Sequence, residues 1–231
     1  MTPYAARKLR DEELDSYGIT RIGKVRTDDQ DAFLMATIYK HTEIHASSLT
    51  GDRAAMLPRY ERLAVVSMVA DGVGGVGGAE ASATALEVAL ADMQHSMARY
   101  HRADATEDDF INERQKDAVT AHGAILAKRA AQLGSGTMAT TQFANMLSSA
   151  LGADNAMSVV TRLRSEWGYV HLLCSDGRTK HVSDAQVTER LRTMASAKQV
   201  CEQLLQDALD GGGTYNNITI VVGPAIPAAS A

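Results

Sequence analysis

Leu63-Ala64-Val65-Val66-Ser67-Met68-Val69-Ala70-Asp71-Gly72-Val73-Gly74-Gly75 decides how this chain is read. The run Leu63–Ala70 is apolar and rich in β-branched valines, the pattern of a buried strand. It stops at one carboxylate, Asp71, and glycines follow at once. A helical pattern opens at Ala79. An acid delivered at a strand tip, on a backbone stripped of side chains, suits either a phosphate group or a metal ion.

Gly72-Val73-Gly74-Gly75-Val76-Gly77 fits the dinucleotide fingerprint G-x-G-x-x-G between a strand and a helix. Asp71 counts against that reading, because a carboxylate beside a pyrophosphate is unfavourable. The fingerprint also needs a second parallel strand ending in an acid roughly twenty residues on. Here the helix Ala79–Ala103 runs instead into a second helical pattern, Glu107–Leu133. The metal reading gathers support elsewhere. Asp31, Asp71 and Asp176 each lie beside a predicted strand end, and Gly72 and Gly177 follow two of them. Carboxylates converging from separate strands make a hard-oxygen site suited to Mg²⁺ or Mn²⁺. No HExxH or CxxC is present, which argues against zinc.

The remaining pattern places strands at Ile19–Val25, Ala32–Tyr39, Ser158–Leu163, Tyr169–Cys174 and Ile218–Val222. Helices are expected at Phe143–Leu151, Ser183–Ala195 and Ala197–Leu209. Residues 1–17 read as a polar extension, 18–223 as the folded domain, and 224–231 as a disordered tail. The 231 residues are 45% apolar and 22% charged, enough for a real core. A formal charge of -5 argues against nucleic acid or an anionic membrane as partner. Cys174 and Cys201 provide no disulfide framework and read as buried thiols. Met1–Arg10 lacks the apolar stretch of a signal peptide, and no run is long enough to span a bilayer. The expectation is a cytoplasmic monomer.

Taken together, these motifs resemble the metal-dependent serine/threonine protein phosphatases of type 2C, the PPM family. Gly23-Lys24-Val25-Arg26-Thr27-Asp28-Asp29-Gln30-Asp31-Ala32-Phe33 is similar to its N-terminal motif, and Val69–Gly75 with Gly78–Ser82 to its metal-bridging motif. Gly136-Thr137-Met138-Ala139-Thr140, Leu172–Thr179 and Gly212–Thr219 are similar to its later motifs. The resemblance implies an α+β fold, a four-layer α/β/β/α sandwich of two mainly antiparallel sheets flanked by helix pairs.

It also implies a mechanism. Asp71 would bridge two Mg²⁺ or Mn²⁺ ions, with the Gly72 carbonyl on one and Asp176 on the other, and Asn216 would stand in the place of a metal ligand. Asp31 would orient metal-bound water, and the guanidinium fork of Arg26 would grip the substrate phosphate. A metal-bridging hydroxide would then remove phosphate from phosphoserine or phosphothreonine of a protein substrate. Two departures from the pattern stand out. Asn216-Asn217 occupies the place of an aspartate–asparagine pair, and an amide ligates without negative charge. The central Gly-Asp-Ser-Arg hairpin and flap are not found, so a fold reduced by that segment is expected. These departures leave open a catalytically weak or inactive relative that binds a phosphoprotein or regulatory partner.

Overall fold

A computed structural model describes residues 11–41, 60–72, 77–100, 112, 115–116, 118–127, 170–213 and 215–225. The chain enters through a short 3-10 turn, Asp11–Glu13, and then forms β1 (Asp15–Arg21), β2 (Ala32–His41) and β3 (Tyr60–Ala70). Helix α1 (Gly78–Tyr100) follows, and residues 118–127 are helical and are called α2. The last third comprises β4 (Leu172–Cys174), α3 (Asp176–Thr179), α4 (Asp184–Arg192), α5 (Ala197–Asp210) and β5 (Ile218–Ala225).

Two antiparallel sheets result, one of order β1-β5-β4 and one hairpin-like pair β2-β3. The sheets face each other, with β3 against β4 and β5, and β1 against β2. Helix α5 covers the outer face of the first sheet with α4 beside it, and α1 covers β2 and β3. This is the α/β/β/α layering expected of the sequence.

The sequence of β5 explains its central place. Ile218, Ile220 and Val222 alternate onto the α5 side, and Thr219 and Val221 onto the other face, all with no exposed surface. A strand buried on both faces reads as a continuous apolar run. Opposite it, Ala197, Val200, Cys201, Leu204, Leu205 and Ala208 recur at helical spacing and form the buried stripe of α5. Each residue pair across this interface removes apolar surface from water at roughly 25 cal/mol per Å². Helix α5 starts at Ser196, whose Oγ accepts from Gln199 N at 3.1 Å, and Asp15 Oδ2 accepts from Ala197 N at 2.7 Å. That second cap ties α5 to the start of β1.

Several sequence boundaries shift. Strand β1 begins at Asp15, within the stretch read as a polar extension, because Tyr17 and Ile19 pack on the α5 core while the backbone pairs with β5. Strand β5 continues to Ala225, past the expected start of the tail. Strand β4 ends at Cys174 as expected, and Asp176, just beyond it, opens the short helix α3. The expected strand Ser158–Leu163, helix Phe143–Leu151, the motif at Gly136–Thr140 and the expected missing hairpin all lie outside the described residues. Among the described residues no helix is long and apolar enough to cross a membrane.

Candidate functional site

Strand register brings the acids together. Ala32 pairs with Ala70 at the end of β2-β3, so Asp31 and Asp71 are the next residues beyond that rung, on adjacent strands. In the other sheet Cys174 pairs with Ile220, and the ladder continues as Ser175 N donates to Thr219 O at 3.0 Å. Thr219 N returns the contact to Ser175 Oγ at 3.0 Å. Asp176 and Asn217 therefore leave that sheet at the same end. Arg21, the last residue of β1, pairs with Ile218 there, and the loop carrying Arg26 starts from it.

Glycines let these ends interlock. A Cβ on Gly72 would overlap the carbonyl oxygen of Gln30, and one on Gly177 would overlap the carbonyl oxygen of Asn217. Each Asp-Gly pair is thus a place where two motif segments touch backbone to backbone. The two sheets are joined directly where Asp71 Oδ2 accepts from Asp176 N at 3.2 Å.

Asn217, buried at 4% exposure, organises the loop. Its Nδ2 donates to Ile22 O at 3.2 Å and to Asp28 O at 3.0 Å, and its Oδ1 accepts from Gln30 N at 3.2 Å. The same Oδ1 takes a longer contact of 3.4 Å from Arg26 Nη1. Arg26 Nη1 also donates to Gln30 Oε1 at 3.0 Å, and Nε donates to Tyr215 O at 3.0 Å. The guanidinium is thereby aimed by three protein acceptors. Asn216 is half-buried on the adjoining turn, and among the described residues no hydrogen bond joins it to the acids.

Asp31 is buried at 8% exposure, and Asp71 is exposed. Burial pushes the Asp31 carboxyl up to about 6, and the Asp71 charge adds to this; hydrogen bonds from Ser175 and Thr219 pull the other way without winning. Thr20 Oγ1 donates to Asp29 Oδ2 at 2.7 Å and Thr219 Oγ1 donates to Asp31 Oδ2 at 2.9 Å, with the two hydroxyl oxygens 2.8 Å apart.

Sequence reasoning named Arg26, Asp31, Asp71, Gly72, Asp176 and Asn216, and the structure gathers the ends that carry them. It missed Asn217, Thr219 and Ser175, which hold those ends in place. It also missed Lys180, whose Nζ lies 2.5 Å from Asp176 Oδ2. The spacing of four between Asp176 and Lys180 was the available signal. Among the described residues, no three His, Cys, Asp or Glu side chains close around a common point.

By sequence, no family profile matches the chain, and no curated protein matches it. Solved structures do match. PppA, a key regulatory component of T6SS in Pseudomonas aeruginosa, is 17% identical with a TM-score of 0.58, covering 90% of this chain and 95% of that one. The PPM Ser-Thr phosphatase MsPP from Mycobacterium smegmatis, in complex with cacodylate, is 19% identical with a TM-score of 0.56, covering 90% and 97%. The catalytic domain of the protein phosphatase PstP, in complex with 2 manganese ions, is 18% identical with a TM-score of 0.57, covering 90% and 96%.

The chain has the fold of the PPM-type serine/threonine phosphatases. Within this PPM fold the ends of β1 to β5 described above meet at one edge of the sandwich. The layering agrees with the sequence expectation of that architecture.

Proposed function

We propose that the chain is a divalent-metal-dependent phosphomonoester hydrolase acting on phosphoserine and phosphothreonine of proteins. The supporting observation is that Asp31 and Asp71 follow one strand rung, and Asp71 accepts from the Asp176 amide, at the end of a PPM fold where Asn217 holds the loop of Arg26. The donors are hard oxygens, which fit Mg²⁺ or Mn²⁺. Placing Asp31 and Asp71 on adjacent strands crowds negative charge, which a cation relieves. In this reading Asp71, the Gly72 carbonyl, Asp176 and Asn216 would hold the ions.

Such ions supply Lewis-acid activation of water and neutralise charge on the phosphoryl oxygens. The chain's own groups do the rest. Arg26 keeps Nε and Nη1 on protein acceptors, so Nη2 is the atom that meets a phosphate oxygen. Asp31 accepts a hydrogen bond from the attacking water at its carboxylate oxygen and fixes the water's orientation. Asn217 acts through Arg26 and Gln30 as a positioning residue.

A second reading is a weak or inactive relative that binds a phosphoprotein, and the amide at Asn216 favours it. Phosphate release from a phosphothreonine peptide with Mn²⁺, with and without chelator, separates the two. Turnover that needs the ion and rises in Asn216→Asp supports the hydrolase. Folded proteins that release no phosphate, with or without the substitution, would leave only the binding role.

A further inference from the structure

Helix α3 is only Asp176–Thr179, yet it is pinned on its inner side at two points. Gly177 is buried against the Asn217 carbonyl. Arg178, 8% exposed, donates from Nε to Cys174 Sγ and from Nη1 to Val182 O, both at 3.3 Å. The helix cannot rotate without uncovering that guanidinium, so its outward residues are set. Lys180 follows as the capping residue, with its N–H donating to Asp176 O at 3.0 Å. One turn apart, Asp176 and Lys180 are side by side, and Lys180 Nζ rests 2.5 Å from Asp176 Oδ2.

We propose that Lys180 is a built-in cation that occupies the Asp176 carboxylate and must be displaced before a divalent ion can use it. The inference rests on the metal-dependent reading above and deepens it. The charge at Asp176 is the reason. Asp176 brings one negative charge and Lys180 one positive, so the pair is neutral where a dication needs anionic ligands. Asp71 differs, because it faces the Asp176 amide rather than an ammonium.

The pair is half exposed, with side-chain exposures of 45% for Lys180 and 52% for Asp176, so the competition is moderate and not prohibitive. An exposed pair of this type shifts an equilibrium by a factor of roughly two to five. No proton is lost in the exchange; the ammonium swings into solvent as the ion enters.

Mn²⁺ titration of the full chain, with free ion followed by electron paramagnetic resonance at low salt, tests the idea without recourse to activity. The wild type is compared with Lys180→Gln, Lys180→Arg, Asp176→Asn and the double variant Asp176→Asn/Lys180→Gln. Lys198→Gln serves as a control, since Lys198 sits near Glu202 at 3.8 Å in another exposed pair. Mn²⁺ binding should tighten about fivefold in Lys180→Gln. It should stay at the wild-type value in Lys180→Arg and Lys198→Gln, and Lys180→Gln should have no effect in the Asp176→Asn background. Equal binding by wild type and Lys180→Gln overturns the inference while the metal site stands. An equal gain in Lys198→Gln, or a gain that survives in Asp176→Asn, overturns it as well. If no folded variant binds Mn²⁺, the metal-dependent reading fails and this inference falls with it.

Discussion

Replacing Asp31 by asparagine should stabilise the metal-free protein at neutral pH. In the folded chain, burial holds the Asp31 carboxyl near 6, against 3.8 in the unfolded chain. Between these two values the native state binds a proton that the unfolded state has released. Stability from this group therefore falls as pH rises from about 4 to about 6, and the loss is complete above that. The difference amounts to at most ~3 kcal/mol, at about 1.4 kcal/mol per tenfold change in proton affinity. The amide of the Asp31→Asn variant carries no charge to desolvate. Its oxygen can accept from Thr219 and Ser175 as the carboxylate does.

Urea unfolding with chelator at pH 4 and pH 7.5 measures this. The two proteins should be nearly equal at pH 4, and Asp31→Asn more stable than wild type by about 1–3 kcal/mol at pH 7.5. Saturating Mn²⁺ should narrow the gap, since an ion that binds only the native wild type adds stability by mass action. If Asp31→Asn is less stable than wild type at pH 7.5 under chelator, the reasoning is refuted, because the ionised carboxylate is then a net stabiliser.

Two further outcomes follow from the geometry. Gly177→Ala should destabilise by about 1–3 kcal/mol or more, since its Cβ meets the Asn217 carbonyl and neither backbone can retreat, and Tm measurement checks it. Burial pushes the Cys201 thiol up to about 12, so Cys201 should resist a thiol reagent at pH 8 in the native protein and react once urea unfolds it.

Much of the fold is legible because burial imposes period. The valine-rich run at Leu63–Ala70 and the stripe from Ala197 to Ala208 report which faces meet a core, and β3 and α5 lie where those patterns place them. The start of β1 is not legible, because DSYGITR alternates polar and apolar residues too weakly. Its pairing with β5 makes it a strand, and that pairing joins residues about two hundred positions apart in sequence.

The candidate site divides the same way. Asp31, Asp71 and Asp176 can be picked out one by one, because a charge that ends an apolar run is conspicuous in sequence. Their convergence is only a conjecture at that level. It depends on the Ala32–Ala70 rung and on the hydrogen bond from the Asp176 amide to Asp71. Asn217 reads as the lesser half of an Asn-Asn pair, yet its buried amide binds a loop whose residues lie far away in the chain.

By itself the sequence determined composition, element type and the chemistry available at each strand end, since these follow from local pattern and residue identity. Tertiary structure alone decided which ends meet, which carboxyl is buried enough to hold a proton, and that Lys180 rests on Asp176. The physical reason is that desolvation and Coulomb energy depend on distance and on the surrounding medium. Neither quantity exists until the two sheets have packed.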